Sequence, residues 1–115
     1  MIFISSPYSH EREEVMHWRY VLVSKYAAHL IANGQVAFSP ITYGHTILQF
    51  KDLPKTWEFW EGFCAKFLEN ASEMHVLKIA GYKESRGVKA EIAMAGEMGI
   101  PIRYVEPVDP PIRNV

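Results

Sequence analysis

The chain has 115 residues, of which 49% are hydrophobic and 22% charged, and 12 Lys and Arg against 13 Asp and Glu leave a formal net charge of -1. This length predicts one domain over residues 1–115, and the near-neutral charge argues against a polymeric nucleic acid as partner. A single cysteine, Cys64, excludes an internal disulfide and favours a reducing, cytoplasmic location with a buried free thiol. No basic segment precedes the first apolar run, and no apolar run approaches the roughly 18 residues of a membrane span, so we expect neither a signal peptide nor a membrane partner.

The first forty residues predict a strand, a long helix and a second strand. The apolar run "IFIS" is followed by "SPYS", which is typical of a buried strand that ends in a loop. From about Ser9 to about Ile31 the apolar residues have helical spacing, and Asn33-Gly34 supplies the left-handed stop that ends many helices. "QVAFSP" predicts a second strand, parallel to the first. The predicted buried stripe of the helix is Val15, Trp18, Leu22, Tyr26 and Leu30.

Two features of this region have more than one interpretation. Arg19 falls inside the apolar stripe; we expect its stem to pack while its charged head reaches water, and the alternative is that the head points at the rim of the sheet. Residues 41–55, "ITYGHTILQFKDLPK", lack clear periodicity and predict a loop or a mobile flap that contains a helical turn.

The second half predicts two more helices and two more strands. An aromatic stripe predicts a helix over about 56–70, "MHVLKI" a third strand, about 87–98 a helix stopped by Gly99, and "PIRYV" a fourth strand. The proline-rich tail at 106–115 is expected to lie extended on the surface. The predicted fold is α/β, a small Rossmann-like (flavodoxin-like) open parallel sheet of about four strands with helices on both faces. The aromatic stripe, which is wide enough for a core or a dimer interface, is Trp57, Trp60, Phe63, Cys64, Phe67 and Leu68.

Three polar loops follow the first three predicted strands. They are "SSPYSH", "SPITYGH" and "AGYKESRGV". Open α/β sheets bind their ligands beyond the carboxyl ends of the strands, near the point where the strand order reverses. We therefore expect these loops to meet at a ligand site.

The start of the last helix is a candidate phosphate site. Free backbone N–H groups and the helix dipole attract anions there. Ser85 can donate its hydroxyl, Gly87 permits close backbone approach, and Arg86 or Lys89 could add positive charge. The alternative is that Ser85 serves only as an N-cap.

Glu91 is the candidate nucleophile. On a helix it shares a face with Val88, Met94 and Ala95, so it should point toward the rim of the sheet. A carboxylate on a half-buried face is usually paired or chemically active, because desolvating it alone is costly. Its place near the helix N-terminus favours the ionised form, which suits a nucleophile. The alternative is a structural ion pair with a lysine or arginine.

Several other polar residues are candidates for ligand contact. Ser5 and Ser6 close the first strand and could meet a sugar or phosphate, and Tyr8 could hold a carboxylate or a sugar hydroxyl, although serines here are also ordinary turn formers. His45 could touch a ligand, but a surface histidine is the simpler interpretation. The histidines and the single cysteine lack metal-ligand spacing, and neither GxGxxG nor GxxxxGK[ST] occurs, so we expect no metal and no cofactor.

Taken together, "IFISSPYSH", "FSPI" and "GYKESRGVKAEIAMAGEMGIPIRYV" resemble the nucleoside 2-deoxyribosyltransferase-like superfamily, and within it a branch of small, often phage-borne proteins that share the "SPYSH" segment. The resemblance covers nearly the whole chain. Its most specific part is the motif of Ser85, Gly87, Val88 and Glu91, followed by a helix of small residues and Gly-x-Pro at 99–101.

The resemblance implies a hydrolase that cleaves the N-glycosidic bond of a nucleoside 5'-monophosphate, similar to the deoxynucleoside monophosphate N-glycosidases. Glu91 would attack the anomeric carbon and expel the base, and water would then release the sugar. Tyr8 would orient the carboxylate. Relatives are commonly dimers, so we expect a homodimer or a higher homo-oligomer. The implied substrate-binding residues are Ser5, Ser6, Ser85, Gly87 and Val88.

One departure from the family leaves alternatives open. The usual aspartate on the helix before the third strand falls near Ala65, where this sequence has no aspartate; Glu61 or Glu69 could substitute. A second common aspartate, just before the third strand, appears as Glu73. Two other functions therefore stay open: a protein that binds or sequesters a nucleotide without turnover, and a nucleoside deoxyribosyltransferase.

Overall fold

The computed structural model describes residues 1–108, so most of the tail predicted to lie extended falls outside the described residues. Within them all strands are parallel, in the order β2-β1-β3-β4, which confirms the predicted small Rossmann-like α/β sheet. No helix in residues 1–108 combines the length and hydropathy needed to cross a bilayer. The elements in chain order are β1 (Ile2–Ser5), α1 (Glu13–Ala32), β2 (Ala37–Phe38), α2 (Pro40–Leu48), α3 (Trp57–Leu68), β3 (Glu73–Leu77), α4 (Arg86–Met98) and β4 (Ile102–Val105).

The sheet is buried on both faces, which explains why β1 and β3 are nearly continuous apolar runs. Side chains alternate between faces, so Ile2 and Ile4 pack with α1 on one side. Phe3 points to the other side and packs with residues of α3 and α4, among them Leu68 and Val88. Fully burying a side chain of this kind contributes roughly 1.5–3 kcal/mol, so these two layers hold the helices in place.

The strand order reverses between β1 and β3. β1 pairs with β2 on one side and with β3 on the other. The chain therefore forms β2 on one side of β1 and then crosses over to form β3 on the other side. This reversal opens a crevice beyond Ser5 and Leu77, at the carboxyl ends of the two strands. The loops after these strands are the segments that the sequence pattern places at the ligand site.

α1 differs from the prediction in its start and in the stripe it buries. It begins at Glu13 rather than near Ser9, and Trp18, expected in the buried stripe, is 46% exposed. Val23 and Ala27 are buried instead, together with Tyr26 and Leu30, which were predicted. The two stripes overlap at the C-terminal half of the helix, and the difference arises because packing on the sheet, not hydrophobicity alone, fixes the rotation of the helix about its axis.

The prediction of a loop or mobile flap over residues 41–55 is wrong for its first half. Residues Pro40–Leu48 form α2, whose first turn is capped by Ser39: the N–H of Thr42 donates to Ser39 Oγ at 3.0 Å. Proline is favoured at the first helical position because its missing N–H would have no partner there. The Ser-Pro pair that was interpreted as a strand end is therefore also a helix start.

Candidate active site

A cavity of about 740 Å³ opens at the crevice between the carboxyl ends of β1 and β3. This volume lies within the range of roughly 300–1,000 Å³ typical of small-molecule sites. The loops after β1 and β3 and the start of α4 form its polar side, and α2 and α3 form the more apolar side. The apolar side includes Pro40, Ile41, Leu48, Trp57 and Trp60.

The predicted site residues do not all reach the cavity. Two do not line it: Ser5 is fully buried behind the wall, and the side chain of Val88 is 1% exposed within the core. Val88 contributes its backbone N–H to the start of α4 rather than a side-chain contact to a ligand. The predicted residues that do line the cavity are Ser6, Tyr8, Ser85, Gly87 and Glu91.

Glu91 is a buried carboxyl group in the cavity wall. It shares the buried face of α4 with Val88 and Ala95, as predicted, and its side chain reaches the rim of the sheet, where its Oε1 accepts a hydrogen bond from Ser5 Oγ at 2.6 Å. Within residues 1–108 the partners of this carboxyl group are the Ser5 hydroxyl and the Cys64 thiol, so the alternative of an ion pair with a lysine or arginine is not found there.

Burial raises the pKa of Glu91 from 4.5 to about 7, against the smaller lowering effects of hydrogen bonds from Ser5 and from the adjacent Cys64 thiol. The expectation that the helix N-terminus would favour the ionised form is therefore wrong: desolvation of the charge outweighs the dipole. Near pH 7 the carboxylate and the carboxylic acid are both populated. Burial and the neighbouring Glu91 also raise the pKa of the Cys64 thiol, which disfavours the reactive thiolate.

The start of α4 presents backbone N–H groups to the cavity. Ser85 is the N-cap, since the N–H of Val88 donates to Ser85 Oγ at 3.2 Å, and the residue also lines the cavity, so capping is not its only possible role. The first N–H groups of a helix, here those of Arg86 and Gly87, have no partner inside the helix. Arg86 itself forms an ion pair with Glu58 of α3, so its charge is already partly compensated.

Ser6 adds a buried hydroxyl group beside the cavity. The residue lines the cavity and is 6% exposed, and its buried Oγ has no hydrogen-bond partner among the described residues. Leaving a buried hydroxyl unsatisfied costs about 1–3 kcal/mol, so such groups in native structures usually bond to a ligand, ion or water.

Arg19 holds the two loops that flank the cavity. Its guanidinium donates to the carbonyl oxygens of Tyr8 at 3.3 Å, Ser9 at 2.9 Å and Ala80 at 3.5 Å. The charged head therefore points at the rim of the sheet, which was the alternative interpretation. Gly81 has φ +93°, and a Cβ there would collide with this guanidinium.

Tyr8 does not bond to Glu91. Its hydroxyl lies 2.9 Å from Nδ1 of His45 on α2, and Ser5 takes the predicted role of orienting the carboxylate. His45 lines the cavity and stacks on Tyr20 with ring centroids 4.0 Å apart, so the interpretation as a surface histidine is wrong. Burial and then the neighbouring His17 lower the pKa of His45, and burial raises the pKa of Tyr8.

The glutamates considered as substitutes for the family aspartate lie outside the cavity. Glu61 is exposed, and Glu69 is exposed and paired with Lys66. Glu73 begins β3, at the end of that strand away from the site, and there it pairs with His75. Among the α3 side chains that line the cavity, Cys64 lies next to Glu91. The sequence pattern predicts Cys64 to be a core residue. Within residues 1–108 no three His, Cys, Asp or Glu side chains cluster as metal ligands would.

The family described as Domain of unknown function (DUF1937) matches residues 1–106 of the chain. No curated protein matches the chain. The match covers nearly the full length, including every element that lines the cavity, whereas the family description assigns no chemistry to it.

Proposed function

The chain belongs to the DUF1937 family of domains of unknown function, and from its cavity we propose that it hydrolyses the N-glycosidic bond of a nucleoside 5'-monophosphate, with Glu91 as the nucleophile. The proposal rests on one juxtaposition. A buried carboxyl group held by Ser5 lies in the wall of a cavity that a helix N-terminus and Ser6 also line, and the buried hydroxyl of Ser6 has no partner among the described residues.

The carboxyl group suits covalent catalysis. With its pKa raised to about 7, Glu91 supplies carboxylate at and above neutral pH, while desolvation makes that carboxylate less stable and so more reactive toward a developing cation. The ionised oxygen would attack the anomeric carbon as the bond to the base breaks, and water would then cleave the glycosyl ester, as in retaining glycosidases. The hydrogen bond from Ser5 fixes one carboxyl oxygen and so sets the direction of the other.

The polar side of the cavity suits the 5'-phosphate. The N–H groups at the start of α4 and the dipole of this 13-residue helix favour an anion. Ser6 offers a buried hydroxyl on the neighbouring loop, and the Ser85 hydroxyl, which accepts from Val88, still has its own hydrogen to donate.

The apolar side suits a flat nucleobase. Trp57 and Trp60 of α3 face the cavity together with Ile41 and Leu48 of α2. Aromatic side chains stack on any base through its π-face, at about 1–3 kcal/mol per base. The resemblance of the motif from Ser85 to Glu91 to that of the nucleoside 2-deoxyribosyltransferase-like proteins supports the same substrate class.

The proposal is tested by incubating the protein with a panel of 2'-deoxynucleoside and ribonucleoside 5'-monophosphates and separating free base from nucleotide by chromatography. We expect base and sugar 5-phosphate in equal amounts from at least one nucleotide, and a loss of at least about a thousandfold in Glu91→Gln. Glu97→Gln, an exposed position on the same helix, is the matched control. Release of no base from any nucleotide would refute the hydrolase. Addition of a second free base distinguishes transfer, because a transferase would form the exchanged nucleotide.

A second candidate is binding without turnover. It is favoured by the absence from the cavity lining of Glu61 and Glu69, the two residues that could substitute for the family aspartate expected near Ala65. Titration calorimetry with the same nucleotides separates the two functions, since this one requires binding with all of the nucleotide recovered intact.

A further inference from the structure

The leaving base needs a proton, and the phenol of Tyr8 lines the same cavity as Glu91. A nucleobase departs most easily when a general acid protonates it as the bond to the sugar breaks. The other carboxyl groups that line the cavity, Glu58 and Glu84, are exposed, and Glu58 is already paired with Arg86. Tyr8, by contrast, is half-buried in the cavity wall and is held by a specific partner.

That partner is part of a packed aromatic group. Tyr8 Oη and His45 Nδ1 are 2.9 Å apart, and the two rings meet edge to face at 5.9 Å. The His45 ring also stacks on Tyr20, with centroids 4.0 Å apart, and the ring of His17 lies tilted against it at 6.0 Å. Arg19 donates to the backbone carbonyl of Tyr8 and so fixes the loop that carries it. The phenol is therefore positioned both through its backbone and through its hydroxyl.

We propose that Tyr8 is the general acid and base of the reaction and that His45 positions it and stabilises its phenolate. This inference rests on the proposed hydrolysis. His45 carries its ring proton on Nδ1 and donates it to Tyr8 Oη, which leaves the phenolic hydrogen directed into the cavity. This assignment of the ring proton is part of the proposal.

The two steps balance without an added reactant other than water. In the first step Glu91 forms a bond to the anomeric carbon, the bond to the base nitrogen breaks, and the electron pair on that nitrogen takes the phenolic hydrogen of Tyr8. The phenolate accepts the hydrogen bond from His45. In the second step water attacks the anomeric carbon, its proton passes to the phenolate, and Glu91 leaves as the carboxylate. Tyr8 thus acts as acid and then as base, as one carboxyl group does in retaining glycosidases.

The groups around His45 fit the neutral imidazole that this role needs. Among residues 1–108 the titratable groups in hydrogen-bond or ring contact with it are Tyr8, Tyr20 and His17. Burial and then His17 lower its pKa, and no carboxylate is among these neighbours to favour the imidazolium. Burial raises the pKa of Tyr8, so the phenol keeps its proton until the base departs.

The test compares two leaving groups in single-turnover experiments. One substrate is the 2'-deoxynucleoside 5'-monophosphate that the protein cleaves best; the other is p-nitrophenyl 2-deoxyriboside 5-phosphate, whose p-nitrophenolate departs without a proton. In Tyr8→Phe we expect base release to fall by about 10²–10⁴-fold, the range typical of a lost general acid, while the first release of p-nitrophenolate falls by less than about threefold. His45→Gln should show the same selective loss, smaller in size, and should move the upper limb of the pH profile that reports Tyr8.

Tyr43→Phe and His29→Gln, at exposed positions that do not line the cavity, are the matched controls. Equal losses for both leaving groups in Tyr8→Phe, or unchanged base release, would overturn the acid role while hydrolysis by the wild type would still stand. If the wild type releases neither leaving group, the proposed hydrolysis itself is wrong and the role of Tyr8 falls with it. NMR of the His45 ring nitrogens gives an independent readout, because a proton on Nε2 instead of Nδ1 contradicts the assignment.

Discussion

Replacing Glu91 by glutamine should make the protein more stable than the wild type at alkaline pH. The side chain is 5% exposed, and its pKa rises from 4.5 to about 7 because burial penalises the charge. The folded protein therefore keeps the proton on Glu91 at pH values where the unfolded chain has already lost it. Stability from this group is complete below about pH 4.5, falls as the pH rises toward 7, and changes little above that.

The size of the effect follows from the same two pKa values. Each pKa unit of difference between the folded and unfolded states corresponds to 1.36 kcal/mol, so a rise from 4.5 to about 7 amounts to about 3 kcal/mol. This is a large fraction of the roughly 5–15 kcal/mol by which small domains are stable. Glutamine keeps an oxygen that can accept the hydrogen bond from Ser5 but never ionises, so the variant escapes the loss.

Urea unfolding followed by tryptophan fluorescence measures the difference, with wild type, Glu91→Gln and Glu97→Gln compared at pH 4.5 and pH 8. Relative to the wild type, the Glu91→Gln variant should gain about 3 kcal/mol between the two pH values, or about 1–3 M in the urea midpoint at ordinary denaturant slopes. Glu97 is exposed, and its variant should show no comparable gain. An equal difference between Glu91→Gln and wild type at both pH values would mean that the carboxyl group is hydrated in the folded protein, and the reasoning about its burial would be wrong.

Three further predictions can be tested with single measurements. Ser5→Ala removes the hydrogen bond that lowers the pKa of Glu91, so the rise of activity with pH should move to a higher pH than in the wild type; an unmoved profile would show that Ser5 does not act on the carboxylate. Gly81→Ala, strained at φ +93° and in collision with Arg19, should lower the free energy of unfolding in urea by about 1–3 kcal/mol. Gly62→Ala on α3, with nothing near its Cβ, should raise it by up to about 1 kcal/mol. Similar free energies of unfolding for the two variants would contradict the strain at Gly81. The homo-oligomer expected from the aromatic helix stays a prediction, and light scattering that gives the mass of a monomer would remove it.

The elements with strong periodicity could be predicted from the sequence because one interaction dominates each of them. β3 is an apolar strand buried on the sheet, and α4 ends at Gly99, whose φ of +72° only a residue without a side chain adopts easily. α2 could not be predicted in this way. It contains Gly44 and several β-branched residues, which are poor helix formers, and its stability comes from tertiary packing, with Gly44 at ordinary contact distance from the ring of Trp60.

The site shows the same division between local and long-range interactions. Glu91 was predictable because a carboxylate on the buried face of one helix is visible in the local sequence. Its partner Ser5 lies 86 positions away, and the pair exists only because parallel pairing of β1 and β3 brings the end of β1 beside α4. The sequence placed the segment that contains His45 near the ligand site, but the pairing of Tyr8 with His45 depends on the helical backbone of α2, which the interpretation as a flap did not include.

Packing alone does not explain why α4 has a carboxyl group on its buried face. An apolar residue would fill the position between Val88 and Ala95 without the pH-dependent loss of about 3 kcal/mol. The same desolvation that produces this loss also makes the ionised group a stronger nucleophile, so stability and reactivity are coupled through one side chain. Glu91→Gln separates the two: burial alone predicts a gain in stability at pH 8 for this variant, and only a catalytic glutamate should also lose turnover on the same substitution.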